Sequence, residues 1–311
     1  MSKRLLIDAR QIEETRVITT TNDIIDDFEY EVHSRRQLKG NIYLARVTRV
    51  EPSLQAAFIE YGGNRQGFLA FSEIHPDYYR IPVEDKKKLI AEASAQTDED
   101  LKLIENINED SALDYNEEDL KKVKKSLYRN YKIQEVIARR QILLVQVVKE
   151  ERGTKGAALT TYISIAGRYC VLMPNTPRGG GVSRKIANIT DRKRLKKVVD
   201  ELDVPTGMAV IVRTAGSKRT KTEIKRDYSN STSIWENVKN LTLESNAPFL
   251  IHEEGSLVKR AIRDLYHSDI NEVLVDGNEA YKTCKNYMKS LMPSHAKKVQ
   301  QYNDDKNPLF Q

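Results

Sequence analysis

The chain has 311 residues, 31% of them charged and 39% hydrophobic, with 51 Lys and Arg against 45 Asp and Glu for a net charge of +6. That length supports two or three units with cores of their own, and the composition argues against a wholly disordered chain. The modest basic excess suits an anionic partner, nucleic acid or an acidic membrane, or serves solubility alone.

Two cysteines, Cys170 and Cys284, exclude a disulfide framework and a paired-thiolate zinc site, and point to a reducing cytoplasm. The run Leu5-Leu6-Ile7 is too short for a signal peptide, and the apolar stretch at 142–148 is strand-sized, so no membrane span is expected.

Short β-rich runs at 4–8 and 15–19 predict strands near the start. A second β-rich block runs from Asn41 to Val50, followed by Ala56 to Tyr61, a Gly62-Gly63-Asn64 turn, and Gly67-Phe68-Leu69: strand, glycine turn and strand, a hairpin. From about 83 to 132 the chain becomes densely charged and poor in aromatic and β-branched residues, which predicts an insertion that is solvated, partly helical or disordered. Its acidic stretch, 97–119, would repel phosphates. Strand character returns at 142–148 and at 157–165, so the β block closes across the insertion. A strand at 169–173, a flexible loop at 178–181, a helix from about Asp191 with Leu195, Val198, Val199 and Leu202 on one face, and a strand at 208–212 follow. A helix over 224–241 places Ile224, Tyr228, Trp235, Val238 and Leu241 on its apolar side. The tail reads strand 249–251, helix 257–266, strand 273–275 and helix 279–291, a mixed α/β unit expected to pack with the opening strands.

The hairpin carries the most specific local signal. With a two-residue period, Ala57, Ile59 and Tyr61 form the core face and Phe58 lies on the wetter one, beside Ala56 and Glu60. Phe68 behaves likewise, opposite Leu69 and Phe71. Either the two phenylalanines fill a second core face, or they form a stacking platform for unpaired bases on a five-stranded OB-fold barrel. The turn from Lys149 to Gly156 carries cations and glycines that could reach a phosphate, or it is simply a solvated turn. At the end of the 208–212 strand, Arg213-Thr214-Ala215-Gly216 offers a guanidinium, a hydroxyl and backbone N–H groups for a terminal phosphate, although any strand end with an arginine can look alike.

Catalytic signatures are sparse. None of the five histidines has an evident nucleophile partner, and no phosphate loop is present. Asp8 and Asp276, each closing a strand of the mixed unit, invite comparison with a two-metal site, but two-metal cleavage needs more carboxylates than this pair, and a structural role is expected.

Several long segments together resemble the ribonuclease E/G family over nearly the whole chain. They include Val50-Glu51-Pro52-Ser53-Leu54-Gln55-Ala56-Ala57-Phe58, Glu150-Glu151-Arg152-Gly153-Thr154-Lys155-Gly156 continuing to Thr161, Val171-Leu172-Met173-Pro174-Asn175, Gly180-Gly181-Val182-Ser183-Arg184, Gly207 to Gly216, and Ala247-Pro248-Phe249-Leu250-Ile251-His252-Glu253. The resemblance implies an α+β multidomain fold: an RNase H-like domain split between 1–36 and 258–311, an inserted S1-type OB-fold β-barrel over 37–162 bearing the charged insertion, and a 5′-sensor α/β domain over 163–257. It implies that Phe58, Phe68 and Lys155 contact RNA, and that Gly167, Val171, Arg213 and Thr214 hold a 5′-monophosphate.

By the same resemblance the partner is single-stranded RNA, with other ribonuclease subunits or RNA-decay proteins as further partners, in RNA processing and decay in the cytoplasm. The insertion is longer than in the shortest members of the family. The family's catalytic DNase I-like domain, with its two magnesium-binding aspartates, and its subunit-joining zinc link would follow Gln311. The expectation is therefore RNA binding without catalytic residues, and Mg and Zn only in the intact enzyme; the alternative is a stand-alone RNA-binding or regulatory protein. Asp269-Ile270-Asn271 resembles the surroundings of one catalytic aspartate, but its neighbours place it in the RNase H-like part and no catalytic role is expected of it.

Overall fold

The computed structural model describes residues 2–11, 13–22, 24–33, 37–89, 131–176, 180–304 and 307–310. Most of the charged segment expected at 83–132 therefore lies outside the described residues. The chain forms two compact units, one of Met1–Gln37 with Glu254–Gln311 and the other of Leu38–Glu253.

The first strands are β1 (Lys3–Asp8), β2 (Glu14–Thr21) and β3 (Ile24–Val32), an antiparallel meander. Strand β3 was not separately expected: Ile24, Ile25, Phe28 and Tyr30 are all exposed, so its apolar residues do not report a core face.

Next comes a closed barrel. Strands β4 (Ile42–Glu51), β5 (Ala56–Glu60) and β6 (Gly67–Ala70) run antiparallel in succession. After the short helix α1 (Ile133–Val136), β7 (Ile142–Lys149) pairs antiparallel with β8 (Ala158–Thr160). Strand β8 lies parallel to β6, and β7 returns to β4, closing five strands into a ring. The alternation read from the hairpin holds, with Ala57, Ile59, Tyr61 and Leu69 buried inside together with Val47, Val145 and Leu159. A register shift between Val47 and Arg49 interrupts the ladder of β4, the kind of irregularity that bends a strand to close a small barrel. At the described edge of the charged segment, residues 83–89 are helical, within the partly helical expectation, and Leu89 packs into the barrel core.

The expected strand over 157–165 is two short strands, β8 and β9 (Ile165–Ala166). Between them the backbone leaves the barrel and takes its hydrogen bonds from side chains: Ile163 N–H donates to Asn175 Oδ1 at 2.9 Å and Ser164 N–H to Gln146 Oε1 at 2.8 Å. Strand β10 (Cys170–Met173) pairs with β9 and with a later strand. The expected glycine loop at 178–181 is partly outside the described residues, and Gly181 belongs to strand β11 (Gly181–Val182).

Helix α2 (Ile189–Asp200) starts earlier than expected because Asn188 caps it, accepting from Asp191 N–H at 3.1 Å. Strand β12 (Ala209–Val212) completes a four-stranded sheet in the order β11-β12-β10-β9. Helix α3 (Lys221–Glu244) opens with a capping box between Thr220 and Glu223. Ile224 and Val238 are buried, but Leu241 is 37% exposed, because the last turns outrun the surface that covers the helix. Strand β13 (Phe249–His252) pairs with β4, so it belongs to the barrel's unit and not to the tail, where periodicity alone had put it.

The tail contains α4 (Leu257–Arg260), a π-helical continuation over Ala261–Leu265, β14 (Glu272–Asp276), α5 (Asn278–Leu291) and β15 (Val299–Tyr302), the last not expected from sequence. Strand β14 inserts parallel between β15 and β1, giving the sheet β15-β14-β1-β2-β3. Leu5, Ile7, Val273 and Val275 pack there against Ala261, Ile262, Cys284 and Met288. Glu31 links the two chain segments: one carboxylate oxygen accepts from Leu257 N–H at the start of α4 and the other from Arg260 Nη1, both at 3.1 Å.

The two faces of β5 give a direct test. Ile59→Ala should lower the unfolding free energy of the chain by about 2–5 kcal/mol, the range for a truncated core side chain. Phe58→Ala, one residue earlier, should cost clearly less; urea unfolding of both variants, compared by midpoint and slope, checks it.

Candidate nucleic-acid interface

Phe58 and Phe68 are directly opposite each other on β5 and β6. Their rings meet edge to face, with centroids 6.2 Å apart and planes at 78°, a favourable aromatic geometry. Phe68 is 36% exposed and Phe58 half-buried, whereas their strand neighbours Ala57, Ile59 and Leu69 are fully buried. The second-core reading therefore fails for this pair, which lies on the outer surface of the barrel.

Arg49, opposite Phe58 on β4, lays its guanidinium 4.6 Å from the centre of the Phe58 ring. Sequence reasoning missed it, since an arginine at a strand end reads as ordinary solvated charge. The patch thus combines two aromatic rings with a cation.

Lys155 is exposed in the turn that leads into β8, and β8 lies beside β6 with Ala158 opposite Phe68. The turn is pinned by reciprocal hydrogen bonds between Arg152 and Lys155, each 3.0 Å, with Gly153 at φ +57°. Its two glutamates are structural. Glu150 accepts from Leu38 N–H at 2.8 Å, and Glu151 from the Tyr61 hydroxyl at 2.8 Å and Arg65 N–H at 3.2 Å. Gly156 is required by close approach, because a Cβ there would lie 1.8 Å from the carbonyl oxygen of Gln66.

A second constellation occupies one corner of the four-stranded sheet. Gly167 begins the turn between β9 and β10, and its carbonyl accepts from Arg213 Nη1 at 2.8 Å. Arg213 N–H in turn donates to the Tyr169 carbonyl at 2.7 Å, and Thr214, itself exposed, opens the 3-10 turn Thr214–Gly216. Val171 sits on β10 opposite Ile211 of β12, on the sheet face that stays partly exposed. The structure thus brings Gly167, Arg213 and Thr214 together, with Val171 one strand step away.

What holds this corner was not legible in the sequence. Asp227, buried in the second turn of α3, accepts from the backbone N–H groups of Arg168, Tyr169 and Cys170 at 3.1, 2.7 and 3.0 Å. A Cβ on Gly167 would lie 2.5 Å from that carboxylate, so only glycine fits there. Burial, followed by the adjacent Asp227 charge, pushes the Cys170 thiol up, so it stays protonated.

The remaining acidic candidates have structural partners. Asp8 and Asp276 are adjacent in the parallel pair β1–β14, but Asp276 is ion-paired to Arg10 at 3.1 Å and Asp8 accepts from Arg10 N–H at 3.1 Å. Asp269 pairs with Lys3 at 2.6 Å, and Asn271 accepts from Lys3 N–H at 2.9 Å, so the Asp-Ile-Asn triplet fastens β1 in place. No group of three or more His, Cys, Asp or Glu among the described residues could hold a metal ion. No helix among them is long and apolar enough to cross a membrane.

The closed five-stranded barrel is of the OB-like type. Residues 164–311 match the model of the ribonuclease E/G family. The chain is 37% identical over 308 residues to ribonuclease E of Haemophilus influenzae and 36% identical over 309 residues to ribonuclease E of Escherichia coli, in each case over 99% of its own length. To ribonuclease G of Escherichia coli it is 29% identical over 310 residues, its whole length. The chain belongs to the ribonuclease E/G family. It spans 28% and 25% of the two ribonuclease E relatives and 55% of the ribonuclease G relative.

Replacing Asp227 with alanine should strand three buried backbone donors, each worth about 1–3 kcal/mol when unsatisfied. The expected outcome is a loss of at least about 3 kcal/mol, together with early hydrogen exchange at Arg168, Tyr169 and Cys170. A variant with unchanged urea midpoint would refute the role given to this carboxylate.

Proposed function

We propose that this chain is the RNA-recognising region of a ribonuclease E/G-type endoribonuclease acting in RNA processing and decay. It grips single-stranded RNA on the barrel and reads its 5′-monophosphate at the Gly167–Arg213 corner. In this reading the two-segment sheet β15-β14-β1-β2-β3 is the RNase H-like domain, the barrel is the S1-type domain, and the α/β part around β10 and β12 is the 5′-end sensor.

The observation that carries the reading is the exposed cross-strand pair Phe58–Phe68 on a closed barrel. Unpaired bases stack on such rings without regard to sequence. Arg49 lies against the Phe58 ring, and Lys155, on the neighbouring turn, supplies a cation for the backbone phosphates.

At the corner, the bond from Arg213 to the Gly167 carbonyl fixes the direction of the guanidinium before any ligand arrives. A monophosphate brings close to two negative charges at neutral pH, and a 5′-hydroxyl brings none, so the pocket discriminates by charge. The Thr214 hydroxyl adds a donor, and Val171 with Gly167 forms the floor that sets the approach. No residue of the chain is assigned to phosphodiester cleavage.

Two measurements test the two halves separately. Phe58→Ala or Phe68→Ala should weaken binding of an unstructured oligoribonucleotide by about 1–3 kcal/mol while the chain stays folded. Undiminished affinity would remove the platform. Arg213→Ala should abolish the preference for 5′-monophosphorylated over 5′-hydroxyl RNA while leaving binding of the 5′-hydroxyl strand in place; a preserved preference would remove the corner pocket.

A further inference from the structure

The net charge of the whole chain is +6, yet residues 184–226 alone contain 13 Lys and Arg against 5 Asp and Glu, a surplus of +8. The remainder of the chain is therefore close to neutral, and the basic excess belongs to one region. Its centre is α2, which buries Leu195, Val198 and Val199 and turns Lys193, Lys196 and Lys197 outward. These three share one face at i, i+3 and i+4 spacing, with Lys193 and Lys197 about 6 Å apart along the axis.

The flanks of the helix extend the cationic surface. Arg192 donates to the carbonyls of Ser183 and Ile186 at 3.0 and 3.2 Å. Arg194 donates to the carbonyls of Ser217 and, at 2.9 Å, Arg219, with Asp191 3.6 Å away. That second set joins α2 to the segment 214–219, which begins at Thr214 beside Arg213 and carries Lys218 and Arg219. Through Arg194, α2 is thus tied to the segment that follows Arg213 and Thr214. Of the nearby acids, Glu201 is paired with Lys221 at 2.5 Å and Glu223 lies 3.6 Å from Arg219, while Asp200 ends the helix one turn beyond Lys196 and Asp203 follows it.

Like charges at this spacing disfavour a helix on its own, so a polyanion laid across them would relieve a repulsion already present. Ile189 is the single exposed apolar residue of α2, far short of the apolar face with which a helix enters a lipid surface.

We propose that the Lys193–Lys196–Lys197 face of α2 is a docking track for the sugar–phosphate backbone of the RNA strand whose 5′ end lies at Arg213 and Thr214. The assignment rests on the functional reading above for the position of that end. Contacts of this kind set register and affinity and carry no base preference.

The test is the salt dependence of binding of a 5′-monophosphorylated single-stranded oligoribonucleotide to the full chain. Each phosphate contact on a single strand contributes about 0.7 to the slope of log affinity against log salt. The triple variant Lys193→Gln/Lys196→Gln/Lys197→Gln should therefore lower the magnitude of that slope by about 2 and keep the ratio of 5′-phosphorylated to 5′-hydroxyl affinity. Lys197→Glu alone should move the slope in the same direction.

An unchanged slope overturns the proposal. So does an equal change in a control with Lys282, Lys289 and Lys297 replaced by Gln, which would reduce the effect to net charge. It is also overturned if the triple variant keeps RNA binding and loses only adhesion to phosphatidylcholine vesicles containing phosphatidylglycerol. The Arg213→Ala result is scored separately: loss of the corner pocket with a slope change of about 2 at α2 leaves the track standing without its anchored end.

Discussion

The larger unit depends on the two-sidedness of a single strand, β4. Its side chains alternate between two cores: Tyr43, Ala45 and Val47 enter the barrel, while Ile42 and Leu44 pack with the residues around β10, β12 and α3. Its backbone is shared in the same way, with β7 and β13 beside its first half and β5 beside its second. Because side chains alternate strictly along a strand, a slip of one residue would exchange the two sets and damage both cores at once. The relative placement of the aromatic platform and the arginine corner within this unit follows from that strand.

The corner itself is organised around a buried carboxylate that touches no ligand candidate directly. Asp227 gathers three successive N–H groups, and this fixes the turn whose first carbonyl, that of Gly167, receives the Arg213 guanidinium. Such an arrangement costs folding free energy unless every acceptor site is filled, and here backbone donors fill it. The stiffness of a loop-borne site is thus supplied from the second turn of a 24-residue helix.

The sequence showed most clearly what depends on short-range periodicity. Phe58 and Ile59 could be sorted to opposite faces by parity alone, and the structure keeps them there. The boundaries of α2 and α3 were less legible, because Asn188 and Thr220 cap them ahead of the apolar pattern. Contacts between distant residues left no local trace. Asp227 reads as one more charge on a charged helix, and its partners lie 57 to 59 residues earlier. Strand β13 has the same β-rich composition whether it joins the tail or the barrel, and only its pairing with β4 decides. Arg49 needed its cross-strand neighbour to acquire meaning. The family resemblance supplied the identities of Gly167 and Val171, which no argument from spacing had singled out.

The pairing of β13 with β4 also bears on how the smaller unit assembles. Its two segments are separated in sequence by Leu38–Glu253, 216 residues. Closing a flexible loop of that length would cost about 5 kcal/mol in chain entropy, before any constant term. Yet His252 lies opposite Ile42 on neighbouring strands, so the folded larger unit returns the chain to within a few residues of where it left. Folding of the insert thereby converts a long-range encounter between β1 and β14 into a short-range one. The nested topology carries its own order of events: the outer sheet closes cheaply only after the inner unit has brought its ends together.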